Sequence, residues 1–469
     1  MALAQKLLVG GELIDSAQQL DIINPATGAV FAKVPRASRD DAERAIAAAK
    51  AAQPAWAATP LAERRKRLLE LAAAVEENAD ELARTLVQEQ GKPLAEAAME
   101  IGSIPAFIRY FVGLDLPVAV VQDDADYRIE VHRKPLGVVV GITPWNFPAL
   151  ISSFKLAPAL LTGNAFVLKP SPTTPVTVMK IAALAKDIFP LGVVSVLVDA
   201  NDLGAYLTAH PDVAKVSFTG STATGKKIMQ SASSTLKRLT LELGGNDAGI
   251  VLGDVDVKDV AQKIFNAAFF NCGQVCLALK RLYVHTSIYD ALCAELAKLA
   301  DAAKVGDGLA EGTQIGPLQN AMQFEKAQNY LRIAERDGKI VAGGGRVEGG
   351  KGYFMRPTIV RDIKDGSELV DQEQFAPILP VIRFDDVEAV IKAANALPYG
   401  LGGSVWSRDV ERASAIAQRL ETGTAWVNHH LHFGPHIPFG GAKESGIGVE
   451  FAAEGMKEFT QTAVLNIAK

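Results

Sequence analysis

The stretch Val138-Val139-Val140-Gly141-Ile142 begins a series of short apolar runs that decides the fold class. Ala165-Phe166-Val167-Leu168, Val193-Val194-Ser195-Val196-Leu197 and Val216-Ser217-Phe218 follow it, separated by helix-like segments. Apolar runs that alternate with helical patterns are typical of βαβ units and of a parallel sheet buried on both faces. The sequence therefore predicts an α/β fold.

A second alternating set follows Glu242. Its strand candidates are Ala248-Gly249-Ile250-Val251-Leu252, Arg281-Leu282-Tyr283-Val284-His285 and Gly403-Ser404-Val405-Trp406. Two α/β domains joined near Leu243-Gly244-Gly245 are therefore predicted.

The segment from Ser38 to Gln90 is rich in Ala, Leu, Glu and Arg, and Ser38 and Asp41 have the spacing of a capping box. This segment predicts a pair of helices, interrupted near Pro54 to Pro60.

Composition limits the functional classes. A chain of 469 residues is long enough for two or three coupled domains, and a net charge of −5 gives no electrostatic reason to expect nucleic acid or an anionic membrane as partner. No apolar run reaches the roughly 18 residues of a spanning helix. The apolar segment near Met1 is too short for a signal peptide. Only three cysteines argue against a disulfide framework and for a reducing compartment. We expect a cytoplasmic protein.

Cys276 and Glu242 pair a thiol with a carboxylate. A thiolate can attack a carbonyl carbon and hold the product as a thioester, and a carboxylate can activate the water that releases it. As a nucleophile Cys276 needs access and a lowered pKa; the alternative is a small buried core residue. Glu242 lies in an apolar strand-like run, where an unpaired carboxylate is costly unless it has a partner or a task.

Three further motifs leave alternatives open. Asn146 follows Trp145 in a Pro-bounded turn, where its amide can serve the turn itself or donate to an oxyanion. Gly220-Ser221-Thr222 opens a predicted helix after a strand, as in a pyrophosphate site, but it lacks the Gly-x-Gly-x-x-Gly pattern. Cys272 fits a packing residue, a disulfide partner of Cys276 or a metal ligand. The His429–His436 tract fits a metal site or a substrate entrance. In both cases we expect no metal.

Five motifs in series resemble the NAD(P)-dependent aldehyde dehydrogenase superfamily across essentially the whole chain. They are Gly141-Ile142-Thr143-Pro144-Trp145-Asn146-Phe147-Pro148, Phe218-Thr219-Gly220-Ser221-Thr222, Leu241-Glu242-Leu243-Gly244-Gly245, Gly273-Gln274-Val275-Cys276 and Pro438-Phe439-Gly440-Gly441. The resemblance runs from Asn24-Pro25-Ala26-Thr27-Gly28 to Glu458-Phe459-Thr460. The resemblance implies oxidation of an aldehyde to the carboxylic acid through a thiohemiacetal and a thioester on Cys276.

The resemblance also implies the domain organisation. It gives a Rossmann-like NAD(P)-binding domain from residues 1–120 and 138–242, and an α/β catalytic domain from residues 243–440. A small β bridging element from residues 121–137 and 455–469 completes it, and through such strands family members form homodimers or homotetramers.

Five catalytic residues follow from the resemblance. Cys276 is the nucleophile, Glu242 the general base, and Asn146 with the Cys276 backbone N–H the oxyanion hole. Lys155 and Glu450 match a proton relay behind that base, although surface charges are an equal alternative. The presence of Glu242 favours hydrolysis to the free acid over transfer to coenzyme A.

The expected cofactor is NAD, with NADP possible. The resemblance assigns Lys169 and Glu373 to the adenosine and nicotinamide riboses and packs Phe375 near the nicotinamide. Pro172 stands where many NAD-preferring members carry a glutamate, which leaves NADP open, whereas Asp199 or Asp202 would favour NAD. The cofactor-binding residues implied are Ile142, Thr143, Pro144, Trp145, Lys169, Ser171, Pro172, Gly220, Ser221, Leu243, Glu373 and Phe375.

The substrate tunnel implied by the resemblance is apolar, and its residues are Phe147, Ile151, Phe154, Phe270, Val275, Phe433 and Phe439. Core packing is the alternative for each alone. No Arg or Lys among them can pair with a second carboxylate, so we expect an aromatic or medium-chain aliphatic aldehyde. A semialdehyde dehydrogenase, with His432 or His436 as the cationic group, and a non-catalytic homologue of the same fold are the alternatives.

Overall fold

A computed structural model describes residues 3–347, 349 and 351–469. Its strands are β1 (Leu7–Val9), β2 (Glu12–Ile14), β3 (Gln19–Asn24), β4 (Ala29–Pro35), β5 (Ala119–Asp123), β6 (Tyr127–Pro135), β7 (Val138–Ile142), β8 (Ala165–Lys169), β9 (Val194–Val196), β10 (Val213–Thr219), β11 (Arg238–Glu242), β12 (Asp247–Val251), β13 (Leu279–His285), β14 (Lys339–Ala342), β15 (Thr358–Arg361), β16 (Ile378–Phe384), β17 (Tyr399–Gly400), β18 (Gly402–Trp406), β19 (Thr424–Val427), β20 (Ala442–Lys443), β21 (Gly446–Ile447) and β22 (Thr460–Ala468).

The helices are α1 (Arg39–Ala58), α2 (Leu61–Glu77), α3 (Ala79–Gln90), α4 (Leu94–Val112), α5 (Pro148–Leu161), α6 (Val176–Ala185), α7 (Gly204–Ala209), α8 (Thr222–Ala232), α9 (Val257–Phe269), α10 (Tyr289–Ala302), α11 (Ala321–Asp337), α12 (Glu368–Asp371), α13 (Val387–Asn395), α14 (Val410–Ala417) and α15 (Ala452–Lys457). Short 3-10 turns lie at Ser233–Thr235 and Phe270–Gly273. Among the described residues, no helix is long and apolar enough to cross a membrane.

The first sheet has the order β2-β1-β9-β8-β7-β10-β11-β21, and β9, β8, β7, β10 and β11 run parallel. Every residue of β7 and β8 is buried, because α-helices cover both faces of the parallel core. The predicted strand Val138–Ile142 is confirmed residue for residue. The carboxyl ends of β7, β10 and β11 meet at one edge, where ligands bind in open α/β sheets.

The second sheet has the order β14-β15-β16-β13-β12-β18-β19 and is parallel from β15 to β19. Only residues 243–246 separate β11 from β12, so the two sheets meet near the predicted Leu243-Gly244-Gly245 junction. The mixed α/β fold with two parallel sheets confirms the predicted fold class.

A third sheet, β22-β6-β5, is antiparallel and lies within or next to the predicted bridging residues. β22 pairs with β6 along nine residues, from Thr460↔Pro135 to Ala468↔Tyr127. Val121 and Val464 are exposed on it.

The predicted helix pair after Ser38 is wrong in number, because three helices occupy this segment. The capping box is present: Asp41 N–H donates to Ser38 Oγ (3.1 Å), and the Asp41 carboxylate accepts from Ser38 N (2.9 Å). α1 continues through Pro54 because the turn beyond it is held by tertiary contacts. Trp56 is 2% exposed, and its Nε1 donates to the Leu160 carbonyl (3.0 Å). The break falls at Thr59 and Pro60, within the predicted range from Pro54 to Pro60.

Candidate active site

A cavity of about 490 Å³ gathers most of the predicted catalytic and substrate residues. Its wall includes Cys276, Glu242 and Glu450. All seven predicted tunnel residues line it as well, namely Phe147, Ile151, Phe154, Phe270, Val275, Phe433 and Phe439. Helices α4, α5 and α9 and the loop after β19 contribute the walls, so residues distant in sequence form one apolar chamber.

The turn that carries Cys276 has a conformation that few residues adopt. Asn271, Cys272 and Gly273 follow α9 with φ of +50°, +58° and +71°. A Cβ added at Gly273 would lie 2.5 Å from the Ala376 carbonyl oxygen, so glycine is required there. The turn ends with Cys276 partly exposed at the cavity.

The predicted lowering of the Cys276 pKa is not met in this structure. Burial raises the pKa of the thiol to about 12, and the neighbouring Lys280 lowers it only in part. Glu242, Glu373 and Asp247 raise it further. A local sequence pattern reports none of these distant charges, because Lys280 is the only one within ten residues of Cys276.

Glu242 is the last residue of β11 and is 3% exposed. Within the described residues, neither of its carboxylate oxygens has a hydrogen-bond partner. Burial raises its pKa well above the ordinary value, the nearby Glu450 raises it further, and Lys155 opposes both. A buried carboxyl with a raised pKa that faces a cavity is suited to accept a proton near neutral pH.

Lys155 and Glu450 form a buried ion pair behind Glu242. Lys155 Nζ also donates to Ser217 Oγ (3.0 Å), and Ser217 Oγ donates to the same Glu450 oxygen (3.3 Å). The Lys155 side chain is fully buried and that of Glu450 is 5% exposed, which contradicts the surface-charge alternative. The relay role stays a prediction.

Asn146 is 4% exposed beside the turn that carries Cys276. Its side-chain Nδ2 donates to the Gln274 backbone carbonyl (3.0 Å). The backbone carbonyl of Asn146 accepts from Lys92 Nζ (2.9 Å) and Asn271 Nδ2 (3.1 Å). One amide hydrogen is engaged, and an amide has a second one to offer to an oxyanion. The oxyanion role of Asn146 stays a prediction. Its side-chain amide is positioned by the bond to Gln274, and its backbone by the bonds from Lys92 and Asn271.

The predicted cofactor residues cluster at the carboxyl edge of the first sheet. Ile142 and Leu243 stand at the ends of β7 and β11, and the Thr143 N–H donates to the Lys169 carbonyl (3.1 Å). Pro144, Trp145, Ser171 and Pro172 follow β7 and β8, and Ser221 caps α8 by accepting from Thr224 N–H (3.3 Å). Gly220 N–H donates to the Glu242 carbonyl (2.9 Å), so this turn adjoins the base.

The nicotinamide end of the predicted cofactor site lies near Gly244, where the two sheets meet. Glu373 accepts from Gly245 N–H (3.1 Å), and a Cβ added at Gly244 would lie 2.6 Å from the other Glu373 oxygen. The rings of Trp145 and Phe375 meet edge to face at 5.4 Å. A glycine-lined cleft with a carboxylate, aromatic rings and a helix N-terminus fits a dinucleotide.

The two aspartates expected to favour NAD are both paired. Asp199 is buried against Lys169, with Oδ1 2.7 Å from Nζ, and Asp202 lies 2.5 Å from Arg36. Their predicted effect on the choice between NAD and NADP stays a prediction. Each carboxylate is neutralised by a cation that the sequence pattern does not bring near it.

The seven predicted tunnel residues include no Arg or Lys, but Lys263 of α9, which lies outside that set, also lines the cavity. Lys263, Asn266, Ala267 and Phe270 are spaced by three, one and three residues, so the helical period around Phe270 could have found them. Lys263 Nζ is held 2.8 Å from Asp259, which offsets its charge.

The histidine tract reaches the cavity through His429 and His430, whereas the suspected His432 and His436 are not among the described lining residues. Burial lowers the pKa of His430 to about 3, and its Nε2 lies 2.8 Å from the Leu277 carbonyl. In the described part of the chain, no group of three or more His, Cys, Asp or Glu side chains is arranged to hold a metal ion. Cys272 is 1% exposed, in agreement with the packing alternative.

Cys276 and the buried carboxylate of Glu242 line one chamber, beside the carboxyl edge of a parallel sheet, where α/β proteins bind dinucleotides. The chain belongs to the aldehyde dehydrogenase family, whose sequence model matches residues 13–465.

Relatives cover nearly the full length. Phenylacetaldehyde dehydrogenase of Pseudomonas fluorescens is 39% identical, over 100% of this chain and 97% of its own. Betaine aldehyde dehydrogenase of Bacillus subtilis (strain 168) is 38% identical, over 98% and 96%. The structure of betaine aldehyde dehydrogenase from Staphylococcus aureus in complex with NAD+ superimposes with a TM-score of 0.96 at 33% identity, covering 99% of this chain and 94% of that one.

Proposed function

We propose that this aldehyde dehydrogenase oxidises aromatic or medium-chain aliphatic aldehydes to carboxylic acids, with NAD as the preferred cofactor. The observation that carries the proposal is the chamber of about 490 Å³, in which Cys276 and Glu242 share an apolar wall with five phenylalanines predicted for the tunnel. Apolar surface of this kind rewards burial of a ring or an alkyl chain at about 25 cal/mol per Å².

The proposed chemistry begins with loss of the Cys276 proton. The thiolate attacks the aldehyde carbon, and the oxyanion accepts hydrogen bonds from Asn146 Nδ2 and the Cys276 backbone N–H. When bound, the nicotinamide cofactor supplies the hydride acceptor that converts the thiohemiacetal to a thioester. Glu242 then takes a proton from water as the water attacks the thioester; the carbon–sulfur bond breaks, and the carboxylic acid leaves while Cys276 is regenerated as the thiolate. Lys155 and Glu450 would pass that proton onward.

The cofactor preference rests on charge at the adenosine end. Lys169 is neutralised by Asp199 at 2.7 Å and Arg36 by Asp202 at 2.5 Å, so a 2′-phosphate would meet paired cations instead of free ones. Pro172 supplies no carboxylate to repel that phosphate, which keeps NADP usable at lower efficiency.

A semialdehyde dehydrogenase is the second candidate, because Lys263 lines the chamber. Its Asp259 partner offsets the charge, and the remaining wall is mainly apolar, which favours the apolar substrate class.

We also propose that residues 1–120 with 138–242, and 243–440, act as cofactor and catalytic domains, and that the third sheet joins copies of the chain into a homodimer or homotetramer. The exposed apolar Val121 and Val464 on that sheet support such an interface.

The test is a panel of aldehydes assayed by the absorbance of NADH or NADPH, with wild type and Cys276→Ala side by side. We expect turnover of benzaldehyde and hexanal by the wild type. Cys276→Ala should lose all turnover while it keeps its fold and binds NAD. Turnover by Cys276→Ala above a few per cent of wild type would exclude Cys276 as the nucleophile, and a wild type that binds NAD but oxidises no aldehyde would indicate a non-catalytic homologue.

A further inference from the structure

Lys280 has a buried side chain that the proposed chemistry does not use. It is the second residue of β13, four positions after Cys276, and its side chain is 3% exposed. Its Nζ turns back over the preceding turn and donates to the carbonyls of Val275 (2.8 Å) and Cys276 (2.6 Å). A buried ammonium needs such partners, and here two of them belong to the turn that carries the nucleophile.

The same Nζ contacts the predicted cofactor site. It lies 3.4 Å from Glu373 Oε1 and 5.7 Å from the centre of the Phe375 ring. Glu373 in turn accepts from the Gly245 N–H at 3.1 Å. One side chain therefore joins the cysteine turn to the carboxylate predicted to hold the nicotinamide ribose.

We propose that Lys280 is a positioning residue that fixes the Cys276 turn against Glu373 and supplies the positive charge that favours the Cys276 thiolate. The proposal rests on the proposed function, since it takes Cys276 as nucleophile and Glu373 as a cofactor ligand. It adds a residue that couples the two sites, so that cofactor binding and thiol reactivity depend on one ammonium group.

The charges around the thiol set the sign of the effect. Glu242, Glu373 and Asp247 face Cys276 and raise its pKa, and Lys280 lowers it. Lys326 and His430 also lie in the field of Lys280. Removing the Lys280 charge leaves three carboxyl groups around the thiol without this opposing cation, so the thiolate fraction has to fall.

The test measures alkylation of Cys276 by iodoacetamide, without aldehyde or cofactor, in wild type, Lys280→Met, Lys280→Arg and Lys298→Met. Peptide mass spectrometry assigns the label to Cys276. Lys298→Met is the matched control, because Lys298 is 69% exposed and pairs with Glu295 on the surface of α10. The rate is followed from about pH 7 to about pH 10, where it reports the thiolate fraction.

We expect Lys280→Met to react about tenfold more slowly than wild type at each pH, which corresponds to a rise of about one unit in the thiol pKa. Lys280→Arg should recover most of the rate because it keeps the charge, and Lys298→Met should match wild type. NAD affinity, followed by quenching of tryptophan fluorescence, should fall several-fold in Lys280→Met. A structural role alone would lower the melting temperature without shifting the alkylation profile.

A folded Lys280→Met that reacts at the wild-type rate would overturn the proposal. If Lys280→Met does not fold, Glu373→Gln provides a test of opposite sign. It removes one of the three carboxyl groups that raise the Cys276 pKa and keeps the Lys280 charge, so it should speed alkylation. A Glu373→Gln rate equal to or below wild type would overturn it as well. Both readouts use the thiol without turnover, so a failure of the proposed oxidation would not disturb them.

Discussion

At the scale of single residues, Glu242 stands out because its carboxylate is buried without a hydrogen bond from the described residues. Leaving a buried polar group unsatisfied costs about 1–3 kcal/mol, and more when the group is charged. Structure elsewhere in the chain has to offset this cost. The ion pair of Lys155 and Glu450 lies behind Glu242, and Lys155 of this pair donates to Ser217 of β10. A buried carboxylate that has no hydrogen-bond partner and faces a cavity is the arrangement that a general base needs.

For Glu242→Gln we expect the first turnover to survive and later turnovers to stall, because the base acts after the thioester forms. Rapid mixing with NAD and aldehyde should give a burst of about one NADH per active site, followed by a slow phase. Loss of the burst would assign Glu242 to a step before hydride transfer. Glu76→Gln, at the exposed Glu76–Arg109 pair outside the chamber, is a suitable control with an unchanged steady state.

The pH profile of the steady state should carry the same signature. Burial raises the Glu242 pKa, so the carboxylate that accepts the proton is lost as pH falls through the raised pKa, nearer neutrality than for an ordinary glutamate. When deacylation limits the rate, kcat of the wild type should therefore decline on the acid side well above pH 4.5. The slow phase of Glu242→Gln should lack this limb, and an unchanged limb would show that another group titrates.

At the scale of elements, the buried ion pair of Lys92 and Glu100 contacts the start of α5 and Asn146, the predicted oxyanion donor. Lys92 and Glu100 are both fully buried and lie 2.6 Å apart, which joins the α3–α4 loop to α4. Glu100 Oε1 accepts the N–H groups of Ala149 (3.0 Å) and Leu150 (3.2 Å) in the first turn of α5, and Lys92 also donates to the Asn146 carbonyl. These contacts between helices therefore fix the backbone position of Asn146.

Glu100→Gln should destabilise the protein by about 3 kcal/mol, because the amide can still accept from α5 but leaves the Lys92 charge buried without its partner. The free energy of unfolding in urea measures this loss. Glu76→Gln is the matched control: it breaks the Glu76–Arg109 pair, which is exposed, and should change little. Equal effects of the two substitutions would show that burial of the ion pair is not what matters.

Local signals predicted the fold better than they predicted the electrostatics of the site. Strands β7, β8, β9 and β10 of the first sheet and β12, β13 and β18 of the second followed from short apolar runs, and the Ser38 cap from its spacing, because these depend on neighbours in sequence. The predicted interruption near Pro54 to Pro60 falls at its Pro60 end, because the tertiary contacts of Trp56 carry α1 past Pro54, and the third helix, α3, was not predicted. The pairing of Asp199 with Lys169 and the raised Cys276 pKa depend on long-range contacts and burial, which no local pattern encodes.

At the scale of the whole molecule, we expect the choice between NAD and NADP to depend on the residues of the first sheet near the adenosine half of the cofactor. We expect kcat/KM to be higher with NAD than with NADP by about tenfold, or roughly 1.4 kcal/mol. Lys169→Met should weaken NAD binding and raise the preference for NAD over NADP, because it leaves the Asp199 carboxylate unpaired and that carboxylate would repel a 2′-phosphate. Asp199→Asn should free the Lys169 charge and raise relative use of NADP. Equal or reversed wild-type values would show that the missing carboxylate at Pro172 outweighs the paired cations.

We expect the chamber lined by Cys276 and Glu242 to set the substrate class, and a straight-chain series of aldehydes tests this on the whole enzyme. Each well-buried methylene contributes about 0.8 kcal/mol, which is roughly fourfold in kcat/KM. We therefore expect kcat/KM to rise from acetaldehyde towards hexanal and then level off as the chain fills the cavity of about 490 Å³. Succinic semialdehyde should be a poor substrate, because its carboxylate would enter an apolar wall where Lys263 already pairs with Asp259. A flat series, or a preference for succinic semialdehyde that disappears in Lys263→Met, would instead assign Lys263 as the recognition group for a second carboxylate.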